Sequence, residues 1–336
     1  MMTKSKLIWQ SALLLVVAVA VSYCGGGGGG SPVVPPVVLP PPWTTKHLAP
    51  ILREHAASVV YNNELYVIGG RLMDGTALVT NEVEIYNPLT DTWRAGQPML
   101  TKRMGLVAAV AGTAGDLRIY AIGGCGDGTP SPAVAAVEEY NPATNAWTIK
   151  HSMGEARCFA GGTARTVGLD KRVLVAGGED SLGHLLATVE EYTTNTDSWV
   201  ATWPMLAKRS RFALVESENA VRKIYAVGGY RVDVPSWTKV VEEFDASSWT
   251  ERAPMPTARG HIAVAVVNGQ ILVAGGESAS PSLNLLESYD PVANLWSTKT
   301  PSPTTFTRGS AGAINGKAYV VGSALALEYN PANETK

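Results

Sequence analysis

A pair of adjacent glycines returns along this chain at nearly constant intervals, and a period of that length restricts the fold more than any other feature. The pairs are Gly69-Gly70, Gly123-Gly124, Gly177-Gly178, Gly228-Gly229 and Gly275-Gly276, with Gly322-Ser323 as a worn sixth copy. Their first glycines are 54, 54, 51, 47 and 47 residues apart. Each pair ends a short apolar run, such as Leu65-Tyr66-Val67-Ile68 or Ile271-Leu272-Val273-Ala274. Runs this short, rich in β-branched and aromatic residues and stopped by glycine, read as buried strands. Another apolar run lies upstream of each, joined to it by turn residues. Asn268-Gly269 and Asn315-Gly316 are the clearest, since both suit the positive φ of a two-residue hairpin. Composition agrees: 34 glycines, 21 prolines and only 17% charged residues fit a turn-rich β protein and exclude a coiled coil or helical bundle.

Downstream of each diglycine come an aromatic residue and then a tryptophan: Tyr86 and Trp93, Tyr140 and Trp147, Tyr192 and Trp199, Phe244 and Trp249, Tyr289 and Trp296. A glutamate stands two residues before each aromatic, at Glu84, Glu138, Glu190, Glu242 and Glu287. An arginine follows ten residues after Trp93, Trp147, Trp199 and Trp249, at Arg103, Arg157, Arg209 and Arg259; Arg308 follows Trp296 at twelve. Diglycine, acid-x-Tyr and Trp at this period resemble the kelch repeat over residues 43 to about 331. The resemblance implies an all-β, six-bladed kelch-type β-propeller with four antiparallel strands per blade.

The two ends predict how the ring closes. The last unit stops after Tyr329 without its tryptophan, while Trp43 stands ten residues before Arg53. Trp43 is therefore expected to head the outer strand of the last blade, with residues 309–331 supplying its three inner strands. Pairing the termini in this way removes an open sheet edge. From Trp43 onward there are 294 residues, 49 for each of six units. The expected organisation is a signal peptide over 1–23, a lipidated Cys24 with a Gly/Pro-rich tether over 24–42, and the propeller over 43–336.

The recurring residues read mainly as packing. Channel-side arginines are expected at Arg53, Arg103, Arg157, Arg209, Arg259 and Arg308, paired with the glutamates because a lone buried charge is costly. The last unit has Leu327 at the glutamate position, which leaves Arg308 as the arginine expected to lack a partner. A ring of six inward arginines holding an anion is the sharper alternative. Function is expected where the units differ. The segment between the second and third strands varies most, with 16, 16, 14, 15, 13 and 6 residues from second glycine to aromatic. Variable loops on a rigid scaffold are the usual carriers of binding groups. The candidates are Arg71, Asp74, Asp127, Glu179, Asp180, His184, Tyr230, Arg231, Asp233, Trp237 and Glu277. Trp237 and Tyr230, aromatics outside the repeat, offer either a stacking platform or a loop folded back on its own blade. Cys125 and Cys158 fall on that same face in adjacent blades, as a candidate disulfide or two buried thiols.

Two enzyme classes share the kelch ring. Galactose oxidase holds copper with two His and two Tyr, one of them linked to Cys. Here His55 and His261 share the position two after the arginine, and a pair alone does not specify copper. The sialic-acid mutarotase would need an acid or base near the sugar and cations for its carboxylate, for which Glu179, Glu277, Arg71 and the arginines are available. No metal set, cofactor motif or nucleophile triad stands out. The formal charge of −2 provides no basic stripe for nucleic acid. Lys4 and Lys6 followed by the apolar run Leu7 to Val21 read as an export signal, and Val21-Ser22-Tyr23-Cys24 resembles a bacterial lipobox, although Tyr23 departs from its preference for a small residue. Gly25 after the cysteine favours the outer membrane in a host that has one. The expectation is an exported, lipid-anchored propeller that binds a protein or glycan through its variable loops, with a sugar-modifying enzyme and a structural envelope protein as alternatives.

Overall fold

The structure, a computed structural model, describes residues 39–127, 132–219, 222–233, 236–279, 282–322 and 324–334. Lys4, Lys6, the apolar run to Val21, Cys24 with its tether up to residue 38, and Ser323 lie outside the described residues. Leu39–Lys336 make up one compact unit.

Six blades of four antiparallel strands follow one another as the repeat predicts. Blade one is Ala57–Tyr61, Glu64–Ile68, Val83–Asn87 and Thr92–Ala95. Blades two to five span 107–150, 161–202, 213–252 and 263–299 in the same up-and-down order. Blade six takes Ser310–Ile314, Lys317–Gly322 and Leu325–Tyr329 from the end of the chain and its outer strand, Trp43–Thr45, from near the start. Trp43 pairs with Tyr329, Thr44 with Glu328 and Thr45 with Leu327, so the ring closes as expected. Blades two and three share an unforeseen seam. Their inner hairpins are seven residues per strand, long enough for Asp170 and Lys171 to pair with Thr113 and Gly112 across the blade boundary.

A propeller has no central layer, so each blade must bury its faces against its neighbours. Each hydrophobic cluster accordingly draws on more than one blade: Tyr66, Ile68, Val83 and Ile85 of blade one pack with Ile119, Ala121, Tyr140 and Trp147 of blade two. The tryptophans add a polar stitch at the perimeter. Each indole N–H donates to the carbonyl four residues beyond the preceding unit's tryptophan: Trp93 to His47, Trp147 to Gln97, Trp199 to His151, Trp249 to Trp203, Trp296 to Ala253 and Trp43 to Thr300, all at 2.7–2.9 Å. The apolar body of the ring is buried at Trp43, Trp147 and Trp249 and half-buried at the other three, while its one donor is satisfied.

The arginines form a deeper set of bonds. Arg53, Arg103, Arg157, Arg209 and Arg259 are buried, and each meets the glutamate of its own blade: Glu84, Glu138, Glu190, Glu242 and Glu287. In the first four blades the guanidinium also donates to the carbonyl of the first glycine, Gly69, Gly123, Gly177 or Gly228. The glutamate in turn accepts backbone N–H groups of the incoming loop, such as Leu100 and Thr101 on Glu138. Burial lowers the pKa of Arg53, Arg103, Arg209 and Arg259, and the facing carboxylates oppose that shift. The first glycine is required by geometry: Gly69 has φ +63°, and a Cβ there would sit 2.4 Å from the Arg103 carbonyl oxygen.

Two expectations about these arginines are corrected. The five are sealed within the blades and do not face the channel. The sixth member of the set is Phe306, not Arg308. Phe306 stands ten residues after Trp296, and its carbonyl accepts from Gly276 as the arginine carbonyls accept from Gly70, Gly124, Gly178 and Gly229. Phe306 and Leu327 belong to one buried apolar cluster, so blade six replaces both members of the ion pair together. Arg308 is partnered after all, by Glu54 and Glu277.

Breaking one ion pair leaves a buried charge uncompensated, whereas replacing both ends need not. Arg209→Met should therefore destabilise by about 3–5 kcal/mol in urea unfolding. The double replacement Arg209→Phe with Glu242→Leu, which copies blade six, should cost clearly less. Equal losses for the single and double variants would refute this account.

Candidate functional site

The polypeptide turns sharply two residues after each buried arginine or phenylalanine, at His55, Gly105, Phe159, Arg211, His261 and Arg308. All six have φ between +50° and +58°. Gly105 N–H donates to the His55 carbonyl, Phe159 to Gly105, Arg211 to Phe159, His261 to Arg211, Arg308 to His261 and His55 to Arg308, at 2.8–3.1 Å. Six backbone bonds thus form a closed cycle around the channel, one link from each blade. Inside it lies a cavity of about 110 Å³ at the mouth, lined by five of these side chains together with Gly105. A second cavity of about 360 Å³ follows, walled by small residues of the inner strands such as Ala57, Ala109, Gly162 and Ala213.

The mouth is aromatic and internally neutralised. The His55 and His261 rings lie 5.0 Å apart, with Phe159 5.1 Å from His55 and 6.2 Å from His261. The Arg211 guanidinium stacks 4.8 Å over Phe159 and bonds Glu179, which also accepts the Ser210 hydroxyl. Arg308 bridges Glu54 and Glu277, and Glu54 also takes Arg71. Glu277 further accepts the Thr307 hydroxyl and lies 3.2 Å from His261 Nδ1. Burial is the main reason that both imidazoles are pushed down to about 3; His261 adds to the effect on His55, and Arg211 and Arg308 add to the effect on His261. Both rings are therefore neutral at pH 7.

Of the residues singled out from the sequence, Arg71, Glu179, Glu277 and Arg308 meet in these ion pairs at the mouth. Tyr230 and Trp237 form a short hairpin of their own, and Trp237 leans on Gly260 and His261 at the start of the next blade instead of on its own blade. They pair with each other at 5.6 Å, and Trp237 lies 5.5 Å from His261. It rests on Gly260, where a Cβ would approach the indole to 2.4 Å. Asp74, Asp127, Asp180, His184 and Arg231 do not join the mouth. Asp74 accepts from Thr76, Asp180 accepts from Leu182 and His184, Arg231 pairs with Asp233, and Asp127 is exposed. Cys125 and Cys158 are joined by a disulfide with Cα atoms 5.3 Å apart, which links blades two and three beside the mouth. Phe159 and Arg211 were missed, although counting twelve residues on from Trp147 and Trp199 reaches them. Among the described residues, no group of three or more His, Cys, Asp or Glu side chains could hold a metal ion.

A closed ring of six four-stranded blades with a walled channel defines the chain as a β-propeller. The Kelch motif matches residues 52–100, 108–154 and 258–303. The Kelch-like protein terF of Aspergillus terreus is 32% identical over 263 residues, 73% of this chain and 55% of that protein. Kelch-like protein 38 of Homo sapiens is 26% identical over 269 residues, 78% of this chain and 43% of that protein. The chain thus spans about half the length of the curated relatives it matches. The solved structure of YjhT superposes with a TM-score of 0.67 at 13% identity, covering 83% of this chain and 94% of that one, a likeness of fold. The chain is a kelch-repeat β-propeller, an architecture consistent with a protein-binding module.

Neutral buried histidines make the mouth sensitive to acid. Their pKa lies below that of the unfolded chain, near 6.5, so the unfolded state binds more protons between pH 6.5 and 3, and stability falls as pH drops through that window. Each should cost about 2 kcal/mol between pH 7 and pH 5. His55→Asn with His261→Asn, which keeps a residue tolerant of positive φ, should flatten urea-derived stability over this range. An unchanged pH slope in the double variant would count against the assignment.

Proposed function

We propose that this chain is an exported, lipid-anchored propeller that binds a protein through the face carrying its variable loops. The observation that supports this reading most is the distribution of exposed apolar side chains around the mouth. Met73, Leu78, Leu182 and Val232 stand exposed on the segments between second and third strands, and Leu52, Leu100 and Leu206 on the connections between blades, which emerge on the same face. Apolar groups held out by a rigid ring favour a protein partner, because their burial drives association. Sugar stacking is less favoured, since Tyr230 and Trp237 are already engaged with each other and with His261. A sugar-modifying reaction is less favoured too, because Glu179 and Glu277 are each held by an arginine.

Export is supported by the Lys4, Lys6 and Leu7 to Val21 pattern and by the Cys125–Cys158 disulfide, which suits an oxidising compartment. Cys24 would carry the lipid, and the glycines and prolines up to Pro42 would hold the ring away from an outer membrane or cell surface.

Proximity cross-linking on intact cells should recover one main protein partner. Leu182→Asp with Val232→Asp should weaken that partner's binding to the purified ring by at least about 10-fold. Leu89→Asp, Leu169→Asp and Val292→Asp, exposed on the opposite turns, should leave it unchanged. Loop variants that bind like the wild type would overturn the proposed face. For the anchor, Cys24→Ser should move the protein from the membrane pellet to the soluble fraction, and retention in the pellet would refute it.

A further inference from the structure

The outer strand of every blade has one side paired and the other free among the described residues. Free strand edges invite pairing with another chain, and charged side chains are a common guard against it. Five outer strands carry such a guard within them or on the next residue: Arg94, Lys150, Glu251 with Arg252, Lys299 and Lys46. The outer strand of blade three, Ser198–Thr202, carries none within it or on the next residue; Asp197, just before it, is held by the Tyr192 hydroxyl, the His151 N–H and Lys150. Its sequence Ser-Trp-Val-Ala-Thr runs straight into Trp203 and Pro204 without a charge. Val200 is 63% exposed and Trp203 59% exposed. The adjoining outer strand adds Ile149 at 72% exposure, and its end is tied to this one through the Trp199 indole on the His151 carbonyl.

We infer that the outer edge of blade three is a self-association surface, where Ser198–Thr202 pairs antiparallel with the same strand of a second copy. The occupant follows from charge and symmetry. A two-fold axis sets a strand opposite its own reversed sequence, so a charged residue on the axis meets its own charge. Arg94, in the middle of its strand, is penalised in this way, the charges of the other four strands would be covered by the second copy, and Ser198–Thr202 carries none. With the axis near Val200 and Ala201, each Val200 covers its counterpart's strand, and each Trp203 lies over the far end of the other strand. Blade three is also braced for this role: its inner hairpin pairs with blade two, and the disulfide links the same two blades.

Sedimentation equilibrium of the 39–336 unit, which contains the whole closed ring, tests the proposal from about 1 to about 100 μM. The wild type should dimerise with rising concentration. Val200→Lys should weaken the association by at least about 10-fold, because it sets two lysines across the axis. Leu169→Lys, an exposed change on the turn of the same blade's inner hairpin, should leave the association intact. Should Val200→Lys lower the melting temperature, Trp203→Lys is read in its place. A wild type that stays monomeric over the whole range overturns the proposal, as does a dimer that the lysine substitution leaves intact.

Discussion

Everything in this ring depends on how a buried guanidinium is satisfied. A propeller blade is a twisted sheet with apolar faces, and it approaches its neighbour closely only where glycine removes the side chain. That approach turns a glycine carbonyl away from the ladder and leaves it wanting a donor. The arginine of the same unit supplies one, and the glutamate neutralises the arginine while capping the incoming loop. Glycine, arginine and glutamate are thus one device, repeated. Blade six shows the logic from the other side. Where Phe306 replaces the arginine, Leu327 replaces the glutamate, and the diglycine and its loop are shortened as well. The desolvation cost of a buried pair can equal its attraction, so an apolar substitute is tolerated when both ends change.

Much of the architecture was legible because the repeat writes the same contacts several times. The strand runs, the hairpin turns, the closure through Trp43 and the existence of the Arg–Glu pairs all follow from offsets that recur. The reading failed where one unit drifts. Residue type singles out Arg308 as the sixth arginine, whereas the ten-residue spacing points to Phe306. The ring of turns is harder to read from sequence, since His55, Gly105, Phe159, Arg211, His261 and Arg308 share a position but no common chemistry. Their common property is a positive φ closed by backbone bonds, and side-chain identity does not encode it. The loop residues were legible as polar groups on one face. Whether each would turn inward, as Glu179 does, or bond its own loop, as Asp74 and Asp180 do, depends on which neighbour lies within reach after folding.

The mouth is a balanced surface rather than a charged one. Arg71, Arg211 and Arg308 face Glu54, Glu179 and Glu277, and both histidines are neutral. Such a hub ties neighbouring blades together around the channel through paired charges. The units agree within the blades, where these contacts recur, and diverge between their second and third strands.

The closing strand also sets how the molecule would carry load. Trp43–Thr45 is only three residues long, and the chain reaches it past Pro41 and Pro42, whose carbonyls accept from Asn333 and Asn330. A pull arriving through the proline stem would act first on this short clasp. The Trp43 indole and these asparagines would have to yield before any other blade felt the tension, so the ring would part at the join between its two ends and leave five blades stacked.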